Sequence, residues 1–143
     1  MKNLEPYFLN VDLDITSVQK LDPIVDGLKR RVVVLYSGPT GKGRTNLLVL
    51  ESSRTHKNPD AAIHALCSAL ERLPPDAMAV WQAATKEFNI GYDSPNTEHS
   101  TSFRVNKESA QRMMALGITL AVTIYRSETG EPTVVKKVRR KTV

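Results

Sequence analysis

A ten-residue alternation near the N-terminus most constrains the fold of this chain. In residues 7–16, apolar side chains alternate with polar ones. Successive side chains of a β-strand point to opposite faces, so this period of two predicts a strand with one face in the core and one in water. The apolar set is Leu9, Val11, Leu13 and Ile15, and the polar set is Asn10, Asp12, Asp14 and Thr16. We therefore expect a sheet that is covered on one side only.

Two further apolar runs predict a β-hairpin. Residues 32–36 are apolar and mostly β-branched, residues 47–50 are aliphatic, and glycine-rich turn residues lie between them at 38–43. The first run does not alternate, which is typical of a strand covered on both faces. More strands are predicted at 88–92 and 118–125, since both are short and rich in aromatic or β-branched residues.

Helices are predicted where capping residues precede apolar periodicity. Asp22-Pro23, Asn58-Pro59 and Pro75-Asp76 each provide a helix start. Asn106 starts a fourth helix, which ends at Gly117. The resulting order is β-α-β-β-α-α-β-loop-α-β. It predicts an α+β fold in which a mainly antiparallel sheet carries helices on one face. Its first part has the βαββαβ order of the ferredoxin-like split motif, followed by a further α-β unit.

The charge distribution divides the chain into a body and a tail. The net charge is +5, and the last eight residues hold five of the twenty basic side chains. The preceding 135 residues are balanced, which argues against a broad nucleic-acid-binding face on the body. We expect one domain over residues 1–127 and a flexible basic tail over 128–143. No segment has the apolar length of a membrane helix, and a single cysteine fits the cytoplasm as the expected location.

The second half resembles a group of small bacterial proteins that carry a domain of unknown function. The resemblance covers residues 73–125, mainly 73–76, Trp81, 88–92 and the segment 114–125 with its Leu116-Gly117 helix stop. It implies an α+β fold and a bacterial origin. The shared residues are structural, so the resemblance implies no site residues. By analogy with other families of this kind, an immunity or antitoxin role is one version of the function.

No motif of a known catalytic, metal or cofactor site is complete. The glycine-rich residues 38–45 lack the spacing and the following helix of a phosphate-binding loop. Cys67 lies on the apolar stripe of its predicted helix, with His64 near the edge of that stripe, which favours a packed thiol over a nucleophile. Asp12 and Asp14 lie roughly 7 Å apart along the strand, without a metal-binding pattern. We therefore expect a protein that is not an enzyme and needs no cofactor.

The leading functional hypothesis is binding of another protein. The polar row of Asn10, Asp12, Asp14 and Thr16 would lie on the uncovered face of the sheet, where such domains often dock partners. Its two carboxylates would repel phosphates, so a protein with basic character is favoured over a nucleic acid.

Two alternatives remain open. The basic tail could hold a nucleic acid through its phosphates. Its cations are Lys136, Lys137, Arg139, Arg140 and Lys141. Alternatively, the polar segment 93–101 could close over a small ligand, as in a ligand-binding protein or a weak enzyme.

Overall fold

The structure is a computed structural model that describes residues 6–41, 43–94 and 102–126. This part of the chain is a mixed fold of five strands and four α-helices. In chain order the elements are β1 (Tyr7–Ser17), α1 (Asp22–Leu28), β2 (Val32–Pro39), β3 (Asn46–Ser52), α2 (Pro59–Leu70), α3 (Pro75–Ala83), β4 (Thr85–Asp93), α4 (Lys107–Ala115) and β5 (Thr119–Tyr125). A short 3-10 turn, Lys29–Arg31, joins α1 to β2.

The five strands form one sheet in the order β2-β3-β1-β4-β5. The first four strands pair antiparallel with their neighbours, whereas β5 is parallel to β4. A parallel neighbour needs a crossover connection, and α4 lies in the segment that joins β4 to β5. The predicted mainly antiparallel sheet is therefore confirmed, as is the hairpin of β2 and β3.

The helices pack on the face of the sheet that carries Val11, Leu13 and Ile15. These three side chains are at most 3% exposed, and they form one buried cluster with residues from all four helices. Phe88 and Ile90 of β4 and Leu48 and Leu50 of β3 join the same cluster. The part of the chain that the structure describes places no helix on the opposite face.

Local capping chemistry determines where α2 and α4 begin. The side-chain oxygen of Asn58 accepts a hydrogen bond from the Ala61 amide at 2.8 Å, and that of Asn106 accepts one from the Ser109 amide at 2.8 Å. These bonds satisfy amides that have no partner within the helix. Gly117 follows α4 with a φ of 71°, the conformation expected at a helix stop. Helix α1 differs slightly from prediction, because Asp22 lies within its first turn.

Two details of the strands differ from the predictions. Strand β2 is an edge strand, and Val33 and Val34 are 38% and 40% exposed, so it is not covered on both faces. The pairing of β1 with β4 shifts register between Phe8 and Asn10. This bulge places Phe8, rather than Leu9, against the core cluster.

Candidate functional site

The predicted polar row lies on the sheet face opposite the helices. Asn10, Asp12, Asp14 and Thr16 alternate with core residues along β1, as the sequence indicated. Their burial differs from the prediction, however. Asp12 is fully buried and Asn10 is 8% exposed, while Asp14 and Thr16 are half-buried. The expectation of a wet face is therefore wrong for Asn10 and Asp12.

Neighbouring strands bring further carboxylates to this face. Asp12 is directly opposite Glu51 of β3, and Asp14 is directly opposite Glu87 of β4. Asp93 lies at the far end of β4, on the same side as Glu87 by alternation, and is 3% exposed. We name this surface the acidic sheet face and define it by five carboxylates. They are Asp12, Asp14, Glu51, Glu87 and Asp93.

Asn10 bridges two of these carboxylates. Its side-chain amide nitrogen lies 2.5 Å from Oδ1 of Asp12 and 3.4 Å from Oε2 of Glu51. Gly91 is opposite Asn10 on β4, and a Cβ atom at that position would lie 3.0 Å from the Asn10 side-chain oxygen. A glycine in this strand therefore leaves room for the Asn10 side chain. The amide donors of Asn10 offset part of the repulsion between Asp12 and Glu51.

The strands contain almost no positive charge. Lys86 is the only lysine or arginine among the residues of the five strands. It lies on the helix side of the sheet, because it is opposite Ile15. Its ammonium donates a hydrogen bond of 2.9 Å to the Trp81 carbonyl, and burial lowers its pKa. The strand residues of the acidic sheet face therefore carry negative charge only.

The cysteine and histidine considered in the sequence do not form a catalytic arrangement. Cys67 is completely buried on α2, and burial raises the pKa of its thiol to about 11. The thiol is therefore protonated near neutral pH and packs as an apolar group. His64 is exposed, and its Nδ1 lies 2.6 Å from an Arg112 guanidinium nitrogen. His64 therefore contacts Arg112 where α2 packs against α4, and not the Cys67 thiol.

The glycine-rich segment between β2 and β3 is a hairpin turn. Strand β3 follows it, where a phosphate-binding loop would have a helix. The Thr40 amide donates to the Thr45 carbonyl at 3.1 Å across the turn. Lys42 lies outside the described residues. Within those residues, no three His, Cys, Asp or Glu side chains are arranged to hold a metal ion.

Two predicted segments lie largely or wholly beyond the described part of the chain. Of the predicted ligand-covering loop 93–101, only Asp93 and Ser94 are described, and the Ser94 amide donates to the Tyr125 carbonyl at 2.9 Å. The tail cations lie outside the described residues. They are Lys136, Lys137, Arg139, Arg140 and Lys141.

Sequence reasoning missed three carboxylates of the acidic sheet face. Glu87 and Asp93 are an even number of residues apart in β4, so their side chains lie on the same face of the sheet. Extending the predicted strand 88–92 by one residue at each end would have included both. Glu51 follows directly after the predicted strand 47–50. What the sequence does not contain is the register that places Glu51 and Glu87 opposite Asp12 and Asp14, because that register depends on pairing between distant segments.

No family model, curated protein or solved structure matches this chain. In the described residues, no helix is long and apolar enough to cross a membrane.

Proposed function

We propose that this protein acts without catalysis, by binding a basic segment of another protein on its acidic sheet face. The observation that carries the proposal is the register of the carboxylates. Asp12 with Glu51 and Asp14 with Glu87 form two directly opposed pairs of like charge. Such pairs lower the stability of a sheet. This concentration of carboxylates on one face of the sheet would attract cationic side chains, which favours a lysine- or arginine-rich partner.

The exposure of the carboxylates indicates which of them the partner would meet first. Asp14 and Glu87 are half-buried, whereas Asp12, Glu51 and Asp93 are nearly inaccessible. Contact through Asp14 and Glu87 would place the partner's cations next to the buried carboxylates. Because the buried carboxylates lie in a region of low dielectric, they would attract the partner's cations more strongly than exposed carboxylates would.

Affinity capture with paired variants tests this proposal. Tagged protein is incubated with nuclease-treated bacterial lysate, and bound proteins are identified by mass spectrometry. We expect a partner with a basic surface that is retained by wild type and lost by the double variant Asp14→Asn/Glu87→Gln. The matched control is Asp22→Asn/Glu108→Gln, which removes two exposed carboxylates from helices α1 and α4. Equal loss from both double variants would show that net charge, rather than this face, holds the partner.

The same experiment separates the nucleic-acid alternative. Binding through the five tail cations predicts capture that disappears after nuclease treatment, falls steeply with salt and is lost when residues 136–141 are deleted. Capture that survives both nuclease and deletion would contradict it. A third reading, a small-ligand site at 93–101, predicts a ligand-dependent rise in melting temperature across a metabolite panel.

The broader classification is also a proposal. We infer a ferredoxin-like unit from β1 to β4, supported by the element order β1-α1-β2-β3-α2-α3-β4, with α4 and β5 added after it. The resemblance of residues 73–125 to small bacterial proteins implies a bacterial origin. The single cysteine fits a cytoplasmic location. An immunity- or antitoxin-like role is one form of the proposed function, because it needs a complementary surface and no catalytic group.

A further inference from the structure

A groove lined by residues of α1, α3 and the segments next to them carries a cluster of basic side chains. It has a volume of about 390 Å³, within the range of small-molecule sites. Gly27, Pro23 and Pro74 supply uncharged parts of its lining, and Lys29, Arg31 and Arg72 supply positive charge. Asp26 and Asp76 complete the lining. The cations come from two separate segments of the chain, which the fold brings together.

These cations have no carboxylate partners within the described residues. Among those residues, the ion pair with a nitrogen–oxygen distance below 4.0 Å joins Arg112 to Glu71. Lys29, Arg31 and Arg72 form no such pair with Asp26 or Asp76. Arginine guanidinium groups bind phosphate oxygens through two parallel hydrogen bonds, whereas lysine contributes a point charge. Two arginines and a lysine around one concave surface are therefore suited to a phosphate-bearing ligand.

Lys29 has a backbone conformation that its residue type disfavours. Its φ is 55° and its ψ is −128°, and it is the only residue other than glycine with a positive φ in the described part of the chain. Glycine adopts such angles without strain, but a side chain makes them unfavourable. The nearby Gly27 is needed for close packing, because a Cβ atom at that position would lie 2.8 Å from Leu73 Cδ2. Strain at a residue that lines a groove is typical of a functional position.

From the groove, the cations and the strained lysine, we infer a binding site for a small phosphorylated compound, held by Lys29, Arg31 and Arg72. The lining holds three basic side chains and two acidic ones, so its net charge is positive. Its volume of about 390 Å³ is that of a site for a compact ligand, which favours a small molecule over a polymer. This site is independent of the proposed protein-binding face.

Calorimetric titration with inorganic pyrophosphate at low salt tests the site. We expect saturable binding by wild type, and a loss of affinity of about tenfold or more in Arg72→Gln and in Arg31→Gln. Arg30→Gln is the matched control, because Arg30 belongs to the same basic run but does not line the groove. Absence of saturable binding by wild type, or an equal loss in Arg30→Gln, would overturn the inference.

Substitutions at Lys29 separate its charge from its backbone strain. Lys29→Gly should raise the melting temperature by about 2–5 °C and weaken pyrophosphate binding about tenfold. Lys29→Gln keeps a side chain on the strained backbone, so it should weaken binding similarly without that rise in melting temperature. Unchanged affinity in both variants would overturn the role of Lys29. An oligonucleotide that binds more tightly than pyrophosphate and depends more strongly on Arg72 would overturn the small-molecule assignment.

Discussion

At the scale of single residues, Trp81 and Lys86 connect three elements. Trp81 is 1% exposed, and its indole nitrogen donates a hydrogen bond of 3.1 Å to the Leu116 carbonyl at the end of α4. The Lys86 ammonium lies 5.2 Å from the centroid of the Trp81 ring and donates to the Trp81 carbonyl near the end of α3. A cation at a helix C-terminus is stabilised by the helix dipole. The ends of α3 and α4 are thereby fixed to β4.

We expect Trp81→Phe to lower the free energy of unfolding by about 1–3 kcal/mol. The change removes the donor to the Leu116 carbonyl and leaves space in the core. Urea unfolding followed by circular dichroism measures it, since the variant has no tryptophan. Met114→Ala on the exposed side of α4 is the control, because Met114 is 80% exposed. A loss in Met114→Ala as large as that in Trp81→Phe would contradict this account.

Burial of Lys86 predicts a specific pH dependence of stability. Burial lowers the pKa of Lys86 in the folded state below its unfolded value of 10.5. At any pH between these two values, the unfolded state therefore binds more protons than the folded state. Wild-type stability should therefore rise relative to Lys86→Met as pH increases from the folded pKa toward 10.5. Chemical unfolding across that range measures the difference. A similar slope for Lys107→Met, which removes an exposed lysine, would contradict burial as the cause.

At the scale of elements, polar contacts join α2 to α4. Arg112 of α4 forms two hydrogen bonds with Glu71, at 2.8 and 3.1 Å, and a third with Ser68 at 3.0 Å. At the other end of the interface, Asp60 accepts hydrogen bonds from the Asn106 amide and the Ser109 hydroxyl. The capping asparagines of both helices were predictable because capping is local. The pairing of α2 with α4 was not, since Asp60 and Ser109 are distant in sequence.

The Arg112 contact predicts how acid weakens this interface. The hydrogen bonds from Arg112 lower the pKa of Glu71 below 4.5. The pair therefore stabilises the fold above pH 4.5, and its contribution is lost as pH falls through the folded pKa. We expect Glu71→Gln to cost about 0.5 kcal/mol at pH 7, because the pair is partly exposed, and progressively less in acid. Unfolding measured from pH 7 to 3 tests this, and persistence of the pH-dependent difference in an Arg112→Met background would contradict it.

At the scale of the whole molecule, β5 gives the sheet an apolar edge. Leu120, Val122 and Ile124 alternate along β5 and are 38–43% exposed. Sequence patterns predicted this strand and its composition, but not that it pairs parallel to β4 or lies at the edge. The same applies to β2, whose exposed valines were expected to be covered. Pairing partners and edges follow from long-range topology, whereas alternation and helix caps are determined within about ten residues.

The exposed edge predicts that β5 influences self-association. We expect Val122→Lys to reduce concentration-dependent light scattering on heating, since a charge on an edge strand opposes edge-to-edge pairing. The free energy of unfolding should change by less than about 0.5–1 kcal/mol, because Val122 is already partly exposed. Gln111→Lys is the control, because it adds the same charge at an exposed position of α4, away from the edge strand. An equal reduction in both variants would attribute the effect to net charge alone.

The indole of Trp81, which donates to the Leu116 carbonyl, also provides an intrinsic fluorescent reporter. Trp81 is the only tryptophan of the chain, and its indole is buried where α3 meets the end of α4. Its emission should therefore shift toward longer wavelengths as soon as α4 and β5 separate from the four antiparallel strands. Stopped-flow fluorescence compared with far-ultraviolet dichroism would then time the docking of this last α-β unit against formation of the rest of the sheet.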